Sequence, residues 1–489
     1  MDSVNPSLQN EVKECFKEQI SELALNEAID LISSDSKEKF KYLSFSIQIP
    51  TVDALAVLEQ NKNKNGFQYY WEKPSDDFSI AAAGSLHRIQ TTGDNRFREA
   101  SCKGKDLLSK VYHISTLKHP LASVHLLGGF SFFDHNVGKE WRNFGAGSFT
   151  LPEWVLVKNG KFNVLTISKK ITSSVSKADI YSDFLNTLDH LDSICDAGSY
   201  TVIPKTSYQS TVDIPGVDSE AYNQWTNSVE SATDLIKAKE FKKIVLAREL
   251  KVKLQTPVSD TRILNHLRNQ YPDCYSFLIS QDGESSFIGS TPERLASFRE
   301  REVLTEGLAG SISRGKTASE DAVLEHELLH SQKDLNEHAF VLDAIEENLQ
   351  RYSDIFEHPV SPSIKKLSNV QHLYTPVHAK IKEGVSRTEV LSKLHPTPAV
   401  GGYPRESAMP YINKLEHFDR GWYAAPVGWI NAHGEGEFVV AIRSGLINTN
   451  EVRFFAGCGI VEDSKPQKEW DETNLKFIPM LTALEHARK

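Results

Sequence analysis

The chain has 489 residues, 39% of them hydrophobic, enough to bury one large core or the cores of two to three smaller domains. Lys and Arg number 55 against 65 Asp and Glu, a formal charge of −10, so no global positive field exists to attract nucleic acid or an anionic membrane. Any anionic substrate must be held by local cations.

The N-terminus, Met1-Asp2-Ser3-Val4-Asn5, lacks a basic and then apolar leader, and no apolar run approaches the roughly 18 residues of a membrane span. Residues 7–34 carry Leu8, Val12, Phe16, Ile20 and Leu23 with Glu and Lys between them, which predicts one amphipathic packing helix. Its polar face is not basic, so it is not a membrane anchor. Alternation of Leu43, Phe45, Ile47 and Ile49 predicts a strand, as do Phe67–Trp71 and Leu126–Phe133. Residues 196–216, rich in Ser, Thr, Pro and Gly, read as a linker or long loop. A helix is expected from Ser219 to Lys239, then strands at Lys243–Val252 and Tyr275–Ile279 and a continuous helix from Ser319 to Arg351. Further strands are expected at Phe438–Ile442 and Val452–Ile460. Strands and helices mix without a regular βαβ period, which predicts α+β. The five cysteines (Cys15, Cys102, Cys195, Cys274, Cys458) are scattered, without zinc or redox spacing, and read as reduced thiols of a cytoplasmic protein.

Two acidic helix faces stand out. Glu469, Glu472 and Lys476 fall at i, i+3 and i+7, and Asp334 and Glu337 repeat the i, i+3 spacing. One such pair alone is usually a solvated face. Four carboxylates together could hold a hard divalent cation that keeps several waters. His326-Glu327-Leu328-Leu329-His330 fits the H-E-x-x-H zinc pattern. Its third ligand is missing at the usual distance, where Leu349 and Gln350 stand, although Glu346 and Glu347 lie slightly early. The reading preferred for this segment is an ordinary charged helix face.

Eight further clusters follow in order: Lys243-Ile244-Val245-Leu246-Ala247-Arg248; Gly289-Ser290-Thr291-Pro292-Glu293-Arg294-Leu295, a turn carrying an acid; and Leu308-Ala309-Gly310-Ser311-Ile312-Ser313-Arg314-Gly315, a small-residue loop. Then come Val370-Gln371-His372-Leu373, His395-Pro396-Thr397-Pro398-Ala399-Val400-Gly401-Gly402, Arg420-Gly421-Trp422-Tyr423, Ala441-Ile442-Arg443 and Ala456-Gly457-Cys458-Gly459-Ile460-Val461. With the two acidic faces, the set resembles the chorismate-utilising enzymes, and among them the isochorismate synthases. The resemblance is dense from 223 to 484 and thin before that, where Gly128-Gly129-Phe130-Ser131-Phe132 and Phe149-Thr150-Leu151-Pro152 are similar to N-terminal pieces of the family. It implies two large, mainly antiparallel β-sheets packed face to face with helices outside. The expected organisation is an N-terminal part of the fold over 1–200, a loop or linker over 201–222 and a chorismate-binding catalytic region over 223–489.

The resemblance also implies roles. Chorismate carries a ring carboxylate, an enolpyruvyl carboxylate and a C4 hydroxyl; isochorismate carries its hydroxyl at C2. Lys243 is then the general base for water attack at C2, and Glu293 the general acid for the departing C4 oxygen. A lysine base must shed its proton, from a reference pKa near 10.4 to about 7–8, against roughly 4 kcal/mol. Burial and nearby cations are the expected cause. Lys242 points to the other sheet face. Glu293 must stay protonated, so an apolar or anion-rich pocket is expected around it.

By the same transfer Glu337 and Glu472 are direct Mg²⁺ ligands, with Asp334 and Glu469 holding its waters or ligating in part. Tyr423 and Arg443 take the enolpyruvyl carboxylate. Lys476 and the backbone near Gly457 and Gly459 take the ring carboxylate, and Gly310, Ser311, His372 and Ala399 line the substrate. Ala309 stands where aminodeoxychorismate synthases of one type use a covalent lysine. Anthranilate synthases usually show glutamine where Lys243 stands and add ammonia, so water is the nucleophile expected here and no glutaminase subunit is needed. The chain is expected to be a monomer or homodimer. The alternatives are a salicylate synthase, which goes on to eliminate pyruvate, and a catalytically silent chorismate-binding homologue.

Overall fold

The computed structural model describes residues 11–34, 41–61, 66–135, 137–172, 176–200, 219–367 and 370–488. Alternation within single strands sets the layers. In Gln68–Lys73, Tyr69 and Trp71 point into one buried cluster and Tyr70 into another; in Tyr275–Ser280, Phe277 and Ile279 face the first and Leu278 the second. The first cluster lies between two sheets, joining Trp71, Phe287 and Phe455 of one to Phe149, Trp429 and Phe438 of the other. The second lies between the first sheet and its outer helices, among them Glu11–Gln19, Lys177–Cys195, Asp260–Gln270 and Pro466–Ala487.

Among the described residues the first sheet has twelve strands. They run in the order Gly402–Tyr403, Lys243–Lys253, Glu451–Ile460, Ser444–Asn448, Ser286–Thr291, Tyr275–Ser280, Gln68–Lys73, Phe78–Ala83, Trp154–Asn159, Phe162–Lys170, Tyr42–Gln48 and Val111–Ser115. The second runs Ser353–Glu357, Val370–Ile381, Glu302–Ser313, Arg294–Arg299, Gly436–Val440, Pro426–Asn431, His125–Phe130, Gly147–Leu151 and His87–Thr91, with Ser363–Lys366 also on Val370–Ile381. Tyr42–Gln48 with Val111–Ser115 is parallel, and the other described pairs are antiparallel. The expected two-sheet α+β architecture is therefore observed. Strands from both ends of the chain sit side by side, Gln68–Lys73 against Tyr275–Ser280 and His125–Phe130 against Pro426–Asn431, so both sheets run through both halves of the sequence.

Several expectations are corrected. The amphipathic stretch 7–34 is two helices where described, Glu11–Gln19 and Glu22–Ser34, because the Ser21 hydroxyl accepts from Ala24 N at 3.1 Å and starts a new helix. The long helix divides into Ala318–His330 and Gln332–Leu349: Ser331 is extended and its Oγ accepts from Asp334 N at 3.3 Å. The small-residue loop Leu308–Gly315 is mostly strand, Glu302–Ser313, bulged between Ala309 and Ser311 where Gly310 takes φ +74. The linker over 201–222 lies outside the described residues up to 218, and Ser219–Tyr222 already belong to the helix Ser219–Lys237. Among the described residues no helix is long and apolar enough to cross a membrane.

The chain changes sheet twice at one place. It passes from Ser286–Thr291 to Arg294–Arg299 through Pro292 and Glu293, and returns from Gly436–Val440 to Ser444–Asn448 through Ala441, Ile442 and Arg443. The crossovers are laced together by Ser290 N to Arg443 O (3.0 Å), Val440 N to Glu293 O (3.1 Å) and Thr291 Oγ1 to Val440 O (2.7 Å). Close by, a buried ion pair ties the strand Lys243–Lys253 to the loops. Arg420 binds Glu416 at 2.6 Å with side chains 1% and 3% exposed, and donates to Val245 O and Val400 O, while Glu416 accepts from Ala247 N. Removing one partner strands a buried charge, so Arg420→Ala is expected to lose about 3–5 kcal/mol of stability in urea unfolding.

Candidate active site

Lys243 opens its strand with a side chain only 5% exposed, and its Nζ donates to Glu337 Oε1 at 2.6 Å. The expected burial is present, but the nearest charged partner is a carboxylate where cations were anticipated. Lys242 points away, its Nζ over the rings of Phe340 and Tyr403. Gly459 explains how the base fits: a Cβ there would come within 2.7 Å of Lys243 Cε. At Gly457 a Cβ would come within 2.9 Å of Leu246 O and 3.2 Å of the Tyr423 hydroxyl.

Glu293 is 7% exposed at the sheet crossover. Burial, and then the negative charge of Glu306, push its carboxyl up to about 7, against smaller opposing effects of Thr397, Lys365 and Lys243. Thr397 Oγ1 stands 3.4 Å from Glu293 Oε1, bringing the segment that carries Ala399 to the acid. Of the apolar or anion-rich pocket expected, the structure shows burial and one neighbouring anion, Glu306, among polar groups that include two lysines. Arg443 is held in left-handed backbone geometry at φ 51, a conformation that costs a non-glycine residue about 1–3 kcal/mol. Its guanidinium has no hydrogen-bond or ion-pair partner among the described residues, and it lines a cavity with Tyr271, Cys274, Ser290, Pro292 and His372. An unpaired guanidinium in a cavity is a ready fork for a carboxylate. Tyr423 is buried, stacked on Phe455 at 5.2 Å, and burial pushes its phenol up, keeping the proton on the hydroxyl.

Burial and the Arg443 charge push His372 down to about 4, so it is a neutral imidazole, with Nδ1 2.7 Å from Ser311 Oγ. Gly310 sits against Asp334, which a Cβ would approach within 3.0 Å. Lys476 donates to Gly457 O at 2.8 Å and to Glu472 Oε1 at 2.6 Å. Burial pushes the Glu337 carboxyl up, but the charge and hydrogen bond of Lys243, with Lys333 and Lys476 farther off, outweigh it and leave the carboxyl lowered, so Glu337 on one acidic helix feels Lys476 on the other across one cleft. Glu469 feels burial and Glu472 and is pushed up. Of the residues singled out in the sequence, contacts join Lys243 to Glu337, Ser311 to His372, Gly310 to Asp334, and Lys476 to Glu472 and Gly457, while Arg443 and His372 line one cavity. Given no role from the sequence were Glu306 and Lys365, isolated charges outside every cluster, and Thr397, which stands inside the run His395–Gly402.

Among the described residues no three His, Cys, Asp or Glu side chains come within metal-ligating reach of one another. In the zinc-like segment the His326 and His330 rings stack at 4.0 Å and His330 Nδ1 bonds to His326 O. In the cleft, Lys243 and Lys476 hold Glu337 and Glu472. The carboxylates of Asp334, Glu337, Glu469 and Glu472 are nonetheless the oxygen donors that a hard cation prefers, and the negative charge of Glu472 that helps to push Glu469 up is what a bound cation would relieve.

A model described as "chorismate binding enzyme" matches residues 24–485. The chain belongs to this chorismate-binding family. Within the family, it is 34% identical over 454 residues to isochorismate synthase MenF of Bacillus subtilis, covering 91% of this chain and 94% of that protein. It is also 34% identical over 443 residues to the salicylate biosynthesis isochorismate synthase of Pseudomonas aeruginosa, covering 90% and 89%. Its fold is similar to that of the menaquinone-specific isochorismate synthase MenF of Escherichia coli, with TM-score 0.74 and 26% identity over 94% of this chain and 99% of that one.

Proposed function

We propose that this protein is an isochorismate synthase: it adds water at C2 of chorismate and expels the C4 hydroxyl. The observation that carries this reading is a buried carboxyl, Glu293, raised to about 7 in a cleft it shares with the buried amine of Lys243. A carboxyl with that value keeps a large share of its proton at neutral pH and can give it to a leaving oxygen. Lys243, in its neutral form and with its Nζ off Glu337, takes a proton from the water aimed at C2; the new C2–O bond forms as the ring double bond shifts and the C4–O bond breaks. Glu293 delivers the proton that lets the C4 oxygen leave as water. Arg443 and Tyr423 hold the enolpyruvyl carboxylate, while Lys476 orients the ring carboxylate and Ser311, His372 and Ala399 shape the wall. Mg²⁺, held by Glu337 and Glu472 with Asp334 and Glu469 around its waters, would clamp the ring carboxylate and neutralise the surrounding glutamates. Water as nucleophile calls for no glutaminase partner.

Incubating the pure protein with chorismate, with and without Mg²⁺, and identifying products by NMR tests the reading. Isochorismate formed only with the metal is expected. Salicylate with pyruvate as main product would favour the salicylate alternative, and unconsumed chorismate the silent homologue. A second outcome concerns geometry around the base. Gly459→Ala places a methyl against the flexible end of Lys243, so the fold is expected to survive while kcat falls roughly 10²-fold from misplacement of the amine. Unchanged kcat would show that Lys243 has no positional role.

A further inference from the structure

Glu306 is absent from the roles above, yet it is the acidic neighbour that Glu293 feels most. It lies in the strand Glu302–Ser313 with its side chain 2% exposed, paired to Lys365 Nζ at 2.9 Å. The pair grips both flanks of the acid. Glu306 Oε1 accepts from the backbone N of Arg294 at 3.1 Å, and Lys365 donates to the carbonyl of Pro292 at 3.3 Å. A buried carboxylate needs partners to persist as an anion, and here one of them, the Arg294 amide, belongs to the turn that carries Glu293, while the other, Lys365, also bonds that turn through the Pro292 carbonyl.

We propose that Glu306, clamped by Lys365, is a positioning residue that fixes the Glu293 turn and sets an ion-paired carboxylate beside its carboxyl. This inference rests on the acid role assigned to Glu293. Other charges meet the pair from every side: Lys243 reaches Glu293 from its own strand, and Arg294, bound to Glu437 at 2.9 Å, borders Glu306. Tyr275, whose hydroxyl donates to Glu437 at 2.8 Å, and Tyr374, with Lys365 over its ring at 5.2 Å, complete the surround as neutral phenols. No other carboxylate acts on Glu293 as Glu306 does, so the effect of removing it has one sign. Without that charge the proton on Glu293 is held less firmly; without Lys365 it is held more firmly.

The test compares wild type, Glu306→Gln, Glu306→Asp and Lys365→Met in the pH profile of kcat/KM for chorismate. It is paired with an infrared titration of the Glu293 carboxyl band, assigned by difference against Glu293→Gln. Glutamine keeps the volume and the acceptor for Arg294 N. In Glu306→Gln the alkaline limb and the infrared titration are both expected to move down by roughly one pH unit, with activity at neutral pH falling up to about tenfold. Lys365→Met is expected to move both upward, and Glu306→Asp to restore part of the wild-type profile. An unmoved limb and band in Glu306→Gln, or shifts of the same sign in both single-charge variants, would overturn the proposal. The infrared titration needs no turnover, so a shifted band in a protein that leaves chorismate untouched would sink the isochorismate reading and spare this one.

Discussion

Lys243→Ala is expected to lower kcat for chorismate by about 10²–10⁴-fold while leaving chorismate binding within a few-fold of wild type. The amine is buried, its strand is pinned by Arg420 and Glu416, and Gly459 is cut back to admit it. On the proposed reading binding falls to other groups, chiefly the unpaired Arg443 and, were the metal bound, the glutamates. Isothermal titration with chorismate and steady-state assays together check this. Lost binding with unchanged chemistry on what binds would contradict the base assignment.

Glu293→Gln is expected to lower turnover by a similar factor, about 10²–10⁴-fold, because an amide cannot donate the proton that the C4 oxygen needs. The pH sign follows from the raised carboxyl. On the proposed reading Glu293 works protonated, so it is expected to supply the limb on which kcat/KM of the wild type falls as pH rises through about 7. The variant is expected to lose that limb from its residual activity. A wild-type profile flat from pH 6 to about 8.5, a span that brackets such a carboxyl, would remove Glu293 from the acid role.

Much of this architecture was legible in residue pattern. Alternation at Leu43–Ile49 and around Phe67–Trp71 marks strands because a sheet buried on both sides rewards period-two and continuous apolar runs alike. The i, i+3 acids on two helices marked the two faces that meet across the cleft. Helix breaks were not legible: Ser21 and Ser331 each stop one helix and cap the next through a hydroxyl bond to a backbone amide, and a serine in an apolar-periodic stretch does not announce that choice. The glycine-containing run at Ala309–Ser311 read as a loop, since a bulge and a loop both call for left-handed glycine and only the partner strand Val370–Ile381 distinguishes them. Glu306 escaped notice for a related reason. An isolated acid in a strand reads as solvent-facing until the fold brings Lys365, some sixty residues on, to within 2.9 Å of it.

The central claim is that a buried amine and a protonated carboxyl act at opposite ends of one diene ring, and a crystal structure of the protein with chorismate and Mg²⁺ tests it most directly. The account predicts Lys243 Nζ on the C2 side and the Glu293 carboxyl within hydrogen-bond reach of the C4 oxygen, with Arg443 on the enolpyruvyl carboxylate. Chorismate bound with either Lys243 or Glu293 turned away from the ring would contradict it.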